Sequence, residues 1–206
     1  MCNMNLFSEE AGNDKIILPL SDGDVTYYPS FFSEEKTTAY FQKINSETQW
    51  REDSIKLFGK TYLQPRLTAL YASNNKPYSY SGITMNPLPF TDTIAEIKNE
   101  IEQQTKTTYT TVLINLYRDG NDSNGWHSDD EKELGTNPCI ASISLGTKRR
   151  FQLKHKKEKA IRFSLDLNHG SLLLMKGATQ HHWKHQIPKQ KLITSPRINL
   201  TFRLIK

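Results

Sequence analysis

Cysteine is scarce. Cys2 and Cys139 are the only two in 206 residues, too few for a disulfide framework. That fits a reducing compartment, cytoplasmic or nuclear rather than secreted. The opening stretch, MCNMNLFSEEAGND, has neither a basic start nor the apolar run of a signal peptide. No segment approaches the roughly 20 apolar residues of a membrane span, so no membrane partner is expected. Internal repeats and low-complexity tracts are also missing. Acidic residues fall short of basic ones, 22 against 27, for a formal charge of +5. That balance favours an anionic partner, nucleic acid first.

The length suits one sizeable domain. Residues 1–24 read as an N-terminal tail and 25–206 as a single domain. Val25–Tyr28 reads as a short strand stopped by Pro29. Ser33 offers an N-cap, with Glu34 and Glu35 complementing the helix dipole, for a helix to about Thr48 that buries Tyr40, Phe41 and Ile44. A second helix, Thr91–Thr105, is apolar at Ile94, Ile97 and Ile101. From Tyr109 onward the chain reads as short strands near 109–117, 138–146, 149–155, 160–166, 171–176, 181–187 and 197–205. Helices early and strands late predict a mainly β, α+β protein with a double-stranded β-helix (jelly-roll) core.

Chemistry concentrates in VLINLYRDGNDSNGWHSDDE, residues 112–131. On an extended segment His127 and Asp129 share a face. An imidazole beside a carboxylate is two thirds of the 2-His-1-carboxylate triad that holds Fe(II) with positions left open. His185 follows 56 residues after Asp129, and Arg197 12 residues after that. Arg197 and Arg203 share strand parity with Asn199 and Thr201, opposite to Ile198, Leu200, Phe202 and Leu204. Asn115 and Tyr117 likewise face away from Val112, Ile114 and Leu116. His181 has the same parity as His185 and rivals it as the third ligand. His155, in a lysine-rich turn, reads as solvated, and His169, before Gly170, as structural. Ile55–Gln64 reads as a hairpin with Phe58 at its tip, near Lys56 and Lys60: either a ring folded onto the domain or an apolar wedge for a base stack. Tyr78 and Tyr80 share a face, as core residues or as a stack for a planar substrate.

NLYRDG, HSDDE, HGSLLLM, HWKHQIP and PRINLTFR, with FGK, QPR and YSYSG upstream, together resemble the AlkB family of Fe(II)/2-oxoglutarate dioxygenases. Within that family the nucleotide-recognition segments look most like the branch that works on double-stranded DNA. The resemblance covers roughly residues 25–206, with helices and nucleotide-recognition hairpins over 25–108 and the jelly roll over 109–206. It implies Fe(II), 2-oxoglutarate and O2 as cofactor and cosubstrates. It implies His127, Asp129 and His185 as metal ligands; the HWKHQIP match and the spacing to Pro196-Arg197 favour His185 over His181. Asn115, Tyr117, Arg197 and Arg203 would bind 2-oxoglutarate. Phe58, Arg66, Tyr78, Tyr80 and Glu131 would contact substrate: Tyr80 and the His127 ring around a flipped base, Glu131 at its polar edge, Arg66 beside it, and Phe58 in the gap left in the duplex. The implied reaction is oxidative demethylation of 1-methyladenine or 3-methylcytosine in DNA with release of formaldehyde, or the same chemistry on RNA or another methylated substrate, by a monomer. Trp126 receives no role from the sequence.

Overall fold

A computed structural model describes residues 14–57, 60–80 and 83–205. The first elements are β1 (Ile16–Ile17), β2 (Asp24–Tyr28), α1 (Glu34–Glu47), β3 (Ser54–Leu57), β4 (Lys60–Leu63), β5 (Leu67–Ala72), β6 (Tyr78–Tyr80), β7 (Ile83–Met85) and α2 (Asp92–Thr105). Then come β8 (Thr111–Tyr117), β9 (Asn124–His127), a 3-10 turn at Lys132–Leu134, β10 (Ile140–Gly146), β11 (Arg149–His155) and β12 (Arg162–Leu167). The last are β13 (Ser171–Lys176), α3 (Thr179–His182), β14 (Trp183–Ile187) and β15 (Arg197–Arg203).

Seven strands form one sheet in the order β1-β2-β13-β10-β15-β8-β5, and four form the facing sheet, β12-β11-β14-β9. Their named pairings are antiparallel. This is the jelly roll, with both helices laid on the outer face of the larger sheet. Val112, Ile114 and Leu116 of β8 and Ile198, Leu200 and Phe202 of β15 pack there with Tyr40 and Ile44 of α1 and Ile94, Ile97 and Ile101 of α2. The caps are those the sequence predicts: Ser33 accepts from Lys36 N at 3.4 Å and Thr91 from Ile94 N at 3.3 Å. None of the described helices is long and apolar enough to cross a membrane.

The polar faces of β8 and β15 do not meet water. Every residue of both strands is buried, because the smaller sheet closes over them. A second apolar cluster, including Phe151, Leu153, Leu173, Met175 and Ile187, fills the space between the sheets. Alternation thus produces two interiors, one oily against the helices and one lined partly by polar groups.

Three expectations need correction. His155 is buried at 3% exposure rather than solvated, with Nε2 3.7 Å from Asp22 and its ring stacked 5.9 Å from His182. Residues 181–182 belong to α3, so strand parity never applied to His181. The extended segment expected at His127 is β9, which begins at Asn124 and belongs to the smaller sheet. Within the stretch read as a tail, Ile16–Ile17 pair with β2 and Leu18 is buried. Phe58 lies outside the described residues, as do the side chains of Lys56, Lys60 and Tyr80.

Candidate active site

His127 ends β9 and His185 sits in the middle of β14, and the two are direct partners across the antiparallel pair. Direct partners share a sheet face, here the inner one. Their ring centroids lie 4.2 Å apart. Asp129 follows two residues after His127, where the chain leaves the strand. Its backbone N–H donates to the buried Gln180 side chain at 2.9 Å, and Ser128 donates to Trp183 O at 2.9 Å. These two bonds hold the turn so that one ligand atom from each of His127, Asp129 and His185 lies within 4.8 Å of the others.

The protonation states suit a cation. His127 Nδ1 sits 2.7 Å from Gly125 O, so this nitrogen carries the proton and Nε2 keeps its lone pair toward Asp129. Burial lowers both imidazoles, His185 to about 3. Burial alone would raise the Asp129 carboxyl, but Arg203 and the two histidines override it and hold the group below the usual carboxylate range. Arg203 Nη2 donates to Asp129 Oδ2 at 2.7 Å, while Oδ1 is buried with no hydrogen-bond partner among the described residues. A buried carboxylate oxygen without a donor is costly. Beside two imidazoles it fits a divalent metal of the Fe(II) kind.

Deeper in, β15 and β8 supply an anion site. Tyr117 is the register partner of Arg197, and Asn115 of Asn199. Arg197 is 1% exposed, donates to Ser144 Oγ at 2.8 Å, and lies 5.3 Å from the Tyr117 ring centroid. Its Nε and Nη1 have no hydrogen-bond partner among the described residues, and burial pulls the group down to about 10. Arg203 Nε and Nη1 likewise have no hydrogen-bond partner among the described residues. Two buried guanidinium groups with donors to spare fit a dicarboxylate such as 2-oxoglutarate. The cavity joining metal cluster and anion site has a volume of about 40 Å³ and is lined among others by Leu113, Asn115, Ser142, Phe151, Met175 and Arg197.

The substrate-side residues are less uniformly placed. Arg66 is 4% exposed, behind Asn115, to whose Oδ1 it donates at 2.8 Å. Tyr78 is fully buried with its ring 5.5 Å from Arg203, so in this structure no ring face is open for stacking. Glu131 Oε2 is buried without a partner among the described residues. Burial, then the neighbouring Asp129 charge, raises the Glu131 carboxyl.

Arg149 is a participant the sequence reading missed. It is 0% exposed and donates to Asp119 O at 2.9 Å, Asp122 O at 2.8 Å, Pro188 O at 3.0 Å and Gln190 Oε1 at 3.3 Å. Its guanidinium lies 5.5 Å from the Tyr117 ring centroid, so Arg149 and Arg197 both neighbour that ring. One side chain ties the loop before His127 to the loop after His185. Gly120 completes the junction, since a Cβ there would collide with Gln190 O. The signal was present: Arg149 has the parity of Phe151 and Leu153, the buried face of its strand.

Comparison with known proteins agrees with this geometry. Residues 24–203 match the family model described as 2OG-Fe(II) oxygenase superfamily. Alpha-ketoglutarate-dependent dioxygenase alkB homolog 3 of Homo sapiens is 39% identical over 196 residues, covering 91% of this chain and 68% of the relative. DNA oxidative demethylase ALKBH2 of Homo sapiens is 36% identical over 188 residues, covering 86% and 72%. The solved structure of OsALKBH1 superposes with a TM-score of 0.64 at 14% identity, over 87% of this chain and 97% of that one, a likeness of fold.

Proposed function

The chain belongs to the AlkB family within the 2OG-Fe(II) oxygenase superfamily, and on that premise we propose that it removes N-linked methyl groups from nucleobases by oxidative demethylation. It is a dioxygenase that uses Fe(II), 2-oxoglutarate and O2. The observation that carries the proposal is the largely buried His127–Asp129–His185 cluster beside two arginines whose spare donors have no partner among the described residues. The demethylase name of the human relative supports the substrate class.

In this reading His127, Asp129 and His185 hold the iron. Together with 2-oxoglutarate and O2, the bound metal supplies hydroxylation of an N-methyl C–H, after which formaldehyde departs and the base is restored. Arg197 takes the distal carboxylate of 2-oxoglutarate in a bidentate, charge-assisted pair. Asn115, held by Arg66, and Tyr117, beside Arg149 and Arg197, orient the cosubstrate. Arg203 steers Asp129 and completes the carboxylate pocket. Phe151, Leu167, Met175 and Ile187 keep water from the cavity. Methylation at adenine N1 or cytosine N3 makes the ring cationic and blocks pairing. Such a base is cheaper to flip, and the Glu131 carboxylate attracts its charge. Tyr80 and Phe58 keep the stacking and wedge roles implied by sequence.

The test is mass spectrometry of oligonucleotides carrying 1-methyladenine or 3-methylcytosine after incubation with protein, Fe(II), 2-oxoglutarate and ascorbate. DNA and RNA, single- and double-stranded, form separate arms. Loss of one methylene mass per lesion, with formaldehyde in step, is expected, most strongly on DNA. Succinate formation with no change in any oligonucleotide would sink the nucleobase assignment while leaving the dioxygenase chemistry standing.

A further inference from the structure

Among the described residues a second trio brings two imidazoles and a carboxylate together. Asp22, His155 and His182 each offer a ligand atom, and these atoms lie within 4.8 Å of one another. Strand register puts the histidines side by side. His155 ends β11 and pairs with Trp183, the first residue of β14, so His182 at the end of α3 comes alongside. Lys156 N–H donates to His182 O at 2.7 Å and fixes that junction. The turn between β1 and β2 lies over it. Trp183 Nε1 donates to Ser21 O at 2.8 Å, and a Cβ on Gly23 would come within 3.1 Å of the same nitrogen. Asp22, between Ser21 and Gly23, holds the left-handed backbone conformation at φ 55°. Its carboxylate reaches His155, with Oδ2 3.7 Å from Nε2.

His155 is 3% exposed, yet its Nε2 has no hydrogen-bond partner among the described residues. A buried ring nitrogen in that state is costly. The other nitrogen is engaged: Glu158 N–H donates to Nδ1 at 2.9 Å, which in the neutral ring puts the proton on Nε2. A metal ion takes the Nε2 lone pair, so this proton has to pass, through solvent, to Nδ1. Glu158 supplies the receiver. Its Oε1 already lies 4.0 Å from Nδ1, on an exposed side chain. Exchanging the Glu158 amide for its carboxylate gives the carboxylate–histidine–metal arrangement, and the ring stays neutral throughout. The His155 and His182 ring centroids are 5.9 Å apart, against 4.2 Å for His127 and His185. The two planes are 12° from parallel, so the half-buried His182 ring must turn to aim a nitrogen at the same ion. Asp22 is exposed, so water reaches one side of the cluster and can fill a fourth position.

We propose that Asp22, His155 and His182 form a second metal site, for a divalent transition ion of the zinc kind. Two imidazoles and a carboxylate suit Zn2+, and such donors bind it more tightly than Fe(II). The site is separate from the catalytic cavity, which none of the three residues lines. Its role is structural. The ion staples the turn between β1 and β2 to the end of β11 and to α3, the helical turn that carries Gln180 and leads into His185. It also gives the buried Nε2 of His155 a partner. Nothing in this inference depends on what the enzyme demethylates.

The experiment counts zinc bound per chain, by equilibrium dialysis of the full chain against Zn2+ followed by elemental analysis. Wild type is compared with Asp22→Asn/His182→Gln, at one exposed and one half-buried position. The variant should bind one equivalent fewer. That difference does not depend on what binds at His127, Asp129 and His185, which both proteins keep. Asp129→Asn/His185→Gln should still bind the equivalent that the first variant loses. Thermal melting is read alongside. With free zinc about 100 times its dissociation constant, the melting temperature of wild type should rise by roughly 5–10 °C more than that of Asp22→Asn/His182→Gln. Without metal the two should melt within about 2 °C of each other. Equal zinc counts, or equal zinc-induced shifts, would overturn the proposal. If the double variant melts lower even without zinc, Asp22→Asn alone decides: a zinc count and affinity equal to those of wild type would overturn the site, and weakened binding of one equivalent would uphold it.

Discussion

Arg203 holds one oxygen of Asp129 at 2.7 Å and leaves the other 3.6 Å from His127 Nε2. The arginine comes from the last strand of the larger sheet and the aspartate from the turn after β9 in the smaller one. This contact ties the candidate metal site to the anion site. It also complicates the simplest test of either residue. Alanine at 129 would strip a buried guanidinium of its partner, which costs roughly 3–5 kcal/mol whatever the metal does.

Asp129→Asn is therefore the cleaner variant. It keeps an acceptor for Arg203 and removes the charge that balances iron. Activity at saturating iron should fall below about a tenth of wild type, with the melting temperature little changed. Formaldehyde release and thermal melting, measured together, check it; substantial activity would move the carboxylate ligand elsewhere.

His185→Ala should match that loss, while His181→Ala should retain most activity. His181 is exposed on α3, whereas His185 faces His127 across the β14–β9 pair. Iron titration of both variants gives the answer, and the reverse ranking would rule out the cluster described here.

Arg197→Lys should raise KM for 2-oxoglutarate by about tenfold or more and change kcat less. Lysine keeps the charge but lacks the planar fork. A single unpartnered ammonium, also fully buried, cannot replace both Nε and Nη1. Equal KM values for the two proteins would remove Arg197 from the cosubstrate site.

Arg149→Leu leaves three backbone carbonyls, those of Asp119, Asp122 and Pro188, without their donor. An unsatisfied buried group costs about 1–3 kcal/mol, partly recovered if water enters. A net loss of about 3 kcal/mol corresponds to a melting temperature lower by roughly 6–12 °C for a chain of this size. KM for 2-oxoglutarate should rise as well, because Tyr117 loses one of its two flanking guanidinium groups. A variant that melts like wild type would show that the two loops hold together without the clamp.

Arg203→Lys should weaken apparent iron affinity about 10- to 100-fold, the range for partners that orient a metal ligand. Iron-dependent activity curves measure it. Unchanged curves would mean that Asp129 is positioned by the Gln180 bond alone.

Alternation along β8 and β15 was legible in the sequence because a strand sends successive side chains to opposite faces whatever surrounds it. That rule gave the helix-facing row from Val112 to Phe202 and the polar row from Asn115 to Arg203. Caps were legible at Ser33 and Thr91 because they are local hydrogen bonds. The destination of the polar row was not. Period two says which residues share a face, and only the closure of the smaller sheet turns that face into a buried pocket rather than a wet surface. Strand parity did not separate His181 from His185, and spacing and motif had to favour His185; the structure shows why parity failed, since a single helical turn before β14 takes His181 out of the strand. For Arg149 only half was legible: parity put it on the buried face of β11, but that its guanidinium would tie the loop of Asp119 and Asp122 to that of Pro188 and Gln190 follows from the packing of segments far apart in sequence, a property of the tertiary structure.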